Sequence, residues 1–298
     1  SSLPSPPRRD PHALRRKARA AREMLDDVFW FFGRESGSVD EGAWARYMRH
    51  RARAHADASA NFVVVSPSTP AQYFHALRRQ ALAPHRKPMV VLAPKYLLHH
   101  RPCASPLAAF GPGTRFRAVV ADGDRGDDTG EYRAGAPRDS SAKRVERERA
   151  RRSSAKRVVV CTGKVFYALR RARASRGLET DVALVRLEQL FPFPHEALAR
   201  RLTRYPADAD IVWAQEEPKN MGFWAFVQPR VATALRELVA RRSKSSAGGA
   251  APGAGAGPGA ARSIRYVGRP AAASPASGSS TIHARETKAL VDEALGGL

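Results

Sequence analysis

Charged side chains stand where apolar runs end, and these are the places in the sequence where chemistry could occur. Lys164 follows Cys161-Thr162-Gly163 at an expected strand-to-helix turn. Free backbone N–H groups and a cation converge at such a turn. That suits an anion, such as a regulatory nucleotide or a coenzyme A phosphate. The long glycine-rich spacing of a P-loop is absent, so a tight turn with a surface lysine is the competing reading. Arg186 and Glu188 flank the end of a second run, and Glu216-Glu217 close a third. Adjacent carboxylates can hold a metal or act as an acid/base pair. Their neighbour Lys219, and Arg186 across the sheet edge, favour charge pairing and a structural or subunit-interface role. Lys164, Arg186, Glu188, Glu216, Glu217 and Lys219 therefore form the candidate regulatory-anion or interface set, with no metal assigned and no catalytic residue identified.

The remaining reactive side chains have plainer readings. His75 lies mid-helix beside Phe74; a packed or surface histidine is favoured over a general base. His99-His100-Arg101 could touch an anion, but a solvated polar end is favoured. Cys161 ends an apolar strand without an assignable partner histidine and reads as a buried small residue. The two cysteines, Cys103 and Cys161, give neither a metal spacing nor a disulfide framework, which fits a reducing compartment. Asn220 and Gly222 fit a turn before a helix, and Phe223, Trp224 and Phe226 read as core or interface aromatics.

The elements that must position these groups follow from periodicity. Residues 62–65 and 87–93 read as buried strands around a helix that Thr69 caps, with Pro70 first and Gln72 completing a capping box. Phe74, Leu77 and Ala81 share the apolar face of that helix. Residues 61–95 are thus a β–α–β unit. From Arg157 the pattern repeats: strands at 158–161, 181–187, 210–215 and 264–267 alternate with helices at 165–176, from Pro194 through Tyr205, and at 222–241. Gly177 would stop the first of these helices, and Thr281 would cap a last one. Such alternation predicts an α/β fold, a parallel sheet with helices on both faces. Ligands and partner chains then meet the carboxyl ends of the strands.

Composition sets the outer limits. The 298 residues carry a formal net charge of +23, which raises nucleic acid or an anionic membrane as partners. The excess is concentrated: residues 138–157 hold nine Lys/Arg against three Asp/Glu, with no interleaved aromatic to stack on bases. Residues 122–156 read as a low-complexity basic insertion in which SSAKRV occurs twice, at 140–145 and 153–158. Residues 243–262 are rich in Ala, Gly, Ser and Pro and read as a flexible linker. Residues 1–60 stay unassigned apart from helix-compatible stretches at 14–32 and 41–58. No run of 18 apolar residues is present, so no membrane span is expected. The first residue is Ser, so an upstream segment or targeting peptide is expected to be missing.

Six segments carry a resemblance: SPSTPAQYFHALRRQ (66–80), RKPMVVLAPKYLLHH (86–100), VVVCTGKVFYAL (158–169), VALVRLEQLFPFP (182–194), QEEPKNMGFWAFVQPR (215–230) and YVGRPAAASPASG (266–278). In this order they resemble the C-terminal part of the decarboxylating component of 2-oxoglutarate dehydrogenase, or of the related 2-oxoadipate enzyme. The resemblance implies a transketolase-like fold: the end of a pyrimidine-binding domain at 61–121 and a C-terminal domain at 157–298. It implies oxidative decarboxylation with thiamine diphosphate and magnesium, and transfer of the acyl group to a lipoyl arm. For 2-oxoglutarate this serves the tricarboxylic acid cycle; for 2-oxoadipate, lysine degradation. Implied partners are a second copy, a lipoyl-bearing acyltransferase and dihydrolipoamide dehydrogenase, with no membrane and nucleic acid disfavoured. The implied location is the mitochondrial matrix in a eukaryote or the cytoplasm in a bacterium. The family's diphosphate- and metal-binding half, and its His-Gly-Tyr segment, have no match here. This chain alone is therefore expected to bind neither cofactor tightly and to be inactive. A non-catalytic regulatory or dimerisation module is the alternative of another class.

Overall fold

β-Branched runs make the strands. Val63–Val65 (β1) and Met89–Val91 (β2) pair in parallel, joined by the helix Pro70–Leu82 (α1). A computed structural model describes residues 60–83, 87–121, 154–246 and 263–297. The helix-compatible stretches before residue 60 and the bulk of both low-complexity segments lie outside the described residues. After β2 come a short helix, Tyr96–His99 (α2), a 3₁₀ turn at Leu107–Phe110 and the strand Val119–Ala121 (β3). Then follow Arg157–Cys161 (β4), Val165–Ser175 (α3), Val182–Leu187 (β5), Gln189–Phe191 (β6), His195–Leu202 (α4), Asp210–Pro218 (β7), Trp224–Ser246 (α5), Ile264–Arg269 (β8) and Ser280–Leu295 (α6).

Two sheets result, ordered β2-β1-β6 and β3-β5-β4-β7-β8. In the larger one β5, β4, β7 and β8 are mutually parallel, as the alternation predicts. Side chains of period two sort to its two faces. Val158, Val160, Ile211 and Trp213 pack with α4 and α5, whereas Val159, Cys161, Val212 and Ala214 pack with α3 and α6. Gly177 (φ 67°) ends α3 in a Schellman turn: its N–H reaches Ala174 O, and Leu178 N–H reaches Arg173 O. Buried Arg157 caps the far end of α6. It donates to the Ala294 and Gly296 carbonyls and pairs with Asp210 at 2.9 Å.

Several expectations need correction. Two short strands that the alternation did not predict join the sheets. β3 adds antiparallel to β5 in the larger sheet, and β6 adds antiparallel to β1 in the smaller. These three-residue strands are too short to show a period. The capping box is half formed: Thr69 Oγ1 accepts from Gln72 N–H, but the Gln72 amide is buried and exchanges two hydrogen bonds with the Arg117 backbone. The apolar face of α1 is the more open one. Phe74 is 42% and Leu77 46% exposed, while Ala71, Gln72, His75 and Ala76 are buried. β2 is likewise a half-covered edge strand. α4 stops at Leu202 rather than Tyr205, α5 runs to Ser246, and the residue before α6 is Ser279, not Thr281.

Candidate functional site

The carboxyl ends of β1, β4, β5 and β7 carry the candidate residues, in three separate arrangements. The first is a buried polar lock. Arg186 and Glu188 side chains are each 1% exposed, and their nearest charged atoms stand 3.8 Å apart. Ser68 fills the space between them. Its hydroxyl donates to Glu188 Oε1 and accepts from Arg186 Nη1 at 2.7 Å, and its N–H donates to Glu188 Oε2 at 2.7 Å. Ser66 N–H donates to the Glu188 carbonyl, so the 66–69 turn is tied to the β5–β6 junction through side chain and backbone. The Ser68 carbonyl takes the Tyr167 hydroxyl at 2.6 Å and the Cys103 thiol at 3.4 Å. Arg186 also lies over the Phe166 ring, 4.3 Å from its centroid. Burial pushes the Tyr167 phenol well above its usual range and raises the Cys103 thiol, so both stay protonated at neutral pH. This is the environment of a structural cysteine, not a nucleophile.

The second arrangement is the ion pair Lys164–Glu216, 2.6 Å long and partly exposed, across the ends of β4 and β7. Gly163 (φ 70°) lets the turn before α3 pass close to Ser66, whose hydroxyl would be 3.6 Å from an added Cβ. Lys164 thus does stand at a strand-to-helix turn. The expected pairing is rearranged, however. Glu216 meets Lys164 rather than Lys219 or Arg186, and Lys219 sits 5.7 Å over the Tyr266 ring. Of the six candidates, Arg186 joins Glu188 and Lys164 joins Glu216; Glu217 and Lys219 stand with a third group.

That group is organised by one buried amide. Gln215 Oε1 accepts from Trp213 Nε1 and from the Phe223 and Trp224 N–H groups. Its Nε2 donates to the carbonyls of Glu217, Pro218 and Met221. The loop 216–223 is wrapped around this side chain. Gly222 (φ 64°) allows the wrapping, because a Cβ there would lie 2.9 Å from Gln215 Nε2. Tyr266 donates to Arg269 O at 2.7 Å, and burial pushes its phenol up to about 12.

His75 is buried and lies 2.8 Å from the Ala109 carbonyl through Nε2, holding the 3₁₀ turn. His100 lies tilted against Tyr96 and edge-on to Tyr167, and burial together with Arg171 lowers its pKa. Cys161 is fully buried. Ser68, Tyr167 and Gln215 were legible as a turn residue, a helix residue and a strand end, but nothing in their spacing marked them as junctions.

Magnesium that holds a diphosphate takes several oxygen ligands. Among the described residues no group of three or more His, Cys, Asp or Glu side chains comes together, and Glu216 is engaged by Lys164. Among them no helix is long and apolar enough to cross a membrane.

Comparison with known proteins gives a consistent set of matches. The chain is 36% identical over 234 residues to a probable 2-oxoadipate dehydrogenase complex component E1 homolog of Dictyostelium discoideum, covering 78% of this chain and 21% of that protein. It is 37% identical over 239 residues to the 2-oxoglutarate dehydrogenase E1 component of Brucella abortus, covering 80% of this chain and 20% of that protein. The chain thus spans about a fifth of the length of the curated relatives it matches. A solved split-gene transketolase, described as an inactive beta4 tetramer, aligns over 79% of this chain and 57% of its own, with a TM-score of 0.39 and 16% identity. The model of the 2-oxoglutarate dehydrogenase C-terminal family matches residues 104–295, which take in the whole five-stranded sheet, and the chain belongs to that family.

Proposed function

We propose that this chain works as the C-terminal part of the decarboxylating component of a 2-oxoglutarate-type dehydrogenase. Its tasks are to hold the subunit together and to form one wall of the assembled site. The observation that carries this reading is the lock at Ser68, Arg186 and Glu188. It fastens the β1–α1–β2 unit to the sheet of the family's C-terminal region, the contact this reading requires between the two parts of the chain. The unit at 61–121 is read as the end of the pyrimidine-binding domain and 157–298 as the C-terminal domain. When bound in the assembled enzyme, thiamine diphosphate with magnesium supplies the decarboxylation chemistry. This chain's own residues orient the walls and exclude water. The acyl group passes to a lipoyl-bearing acyltransferase, with dihydrolipoamide dehydrogenase completing the complex.

2-Oxoglutarate is the proposed substrate and 2-oxoadipate the second reading, which the Dictyostelium relative favours. The Lys164 turn is a site for a regulatory anion only if that anion displaces Glu216. The location is the mitochondrial matrix or the bacterial cytoplasm, according to the host.

The test is calorimetry and turnover on the 298-residue chain. Titration with thiamine diphosphate and magnesium is expected to give no binding below millimolar concentration, and dye-linked decarboxylation of either oxo acid no rate above background. Clear turnover would show that the active site lies within these residues.

A further inference from the structure

We draw no further inference here: the strongest candidate, the exposed apolar face of α1 formed by Phe74, Leu77 and Leu82, is one that nothing in the structure shows to be covered by any particular partner.

Discussion

The two sheets are held by different physics. The five-stranded sheet is sandwiched: Trp213, Leu184, Phe166 and Leu198 are fully buried between helices on both faces, and apolar burial accounts for its cohesion. The three-stranded sheet has little such cover. Val90 on β2 and Phe74 and Leu77 on α1 remain exposed; Leu190, Val64 and Leu92 reach the larger core, and the rest of its connection to the larger sheet is polar: Ser68 on Glu188 and Arg186, and Ser66 on the Glu188 backbone. The larger sheet would keep its shape if any one contact weakened. The smaller one depends on a few buried charges, where the penalty for a missing partner is large.

The strongest way to break this contrast is Glu188→Ala. It removes the carboxylate that Ser68 bridges to buried Arg186, and a loss of about 3–5 kcal/mol is expected in urea unfolding. Hydrogen exchange should rise in β1 and α1 before it rises in β4. Ser68→Ala removes the bridging hydroxyl but keeps the ion pair and the backbone contact, so about 1–3 kcal/mol should be lost, with the same regional pattern. The partly exposed Lys164–Glu216 pair is the matched control. Glu216→Ala should cost less than about 1 kcal/mol, and that cost should shrink further in high salt.

A smaller effect follows from His100. Its folded pKa is lowered, so the unfolded chain binds the proton more readily between the two values. Its contribution is full above the ordinary value of 6.5 and is lost as pH falls toward the folded value. His100→Phe should flatten the stability–pH curve just below that point, measured by urea midpoints across the range. The smallest effect is expected at Leu77→Ala. A surface side chain of α1 contributes within about 0.5 kcal/mol, so a larger loss would mean that the open face is covered in solution.

Much of the larger sheet was legible, because Val158 to Cys161 and the runs at 182–187 and 210–215 are apolar throughout, as strands covered on both faces must be. The helix beside the smaller sheet was less legible. Phe74, Leu77 and Ala81 make a convincing apolar stripe, but Gln72 and His75 are the residues turned inward, because the junction they enter is polar. Periodicity registers apolar faces and cannot see a buried amide pairing with the Arg117 backbone. The candidate site was legible in the same uneven way. Lys164, Arg186, Glu188 and Glu216 were visible as charges at strand ends. Which charge meets which depended on Ser68, more than a hundred residues from Glu188, and no local spacing encodes that contact.

Residues 60–298 are proposed to serve as the C-terminal part of a 2-oxo acid dehydrogenase. The direct measurement replaces the matching region of the Brucella abortus enzyme with these residues and follows dye-linked decarboxylation of 2-oxoglutarate and 2-oxoadipate. Turnover of at least one, abolished by Glu188→Ala in the same chimera, is the predicted result. A folded chimera that binds thiamine diphosphate normally yet decarboxylates neither oxo acid would contradict the account.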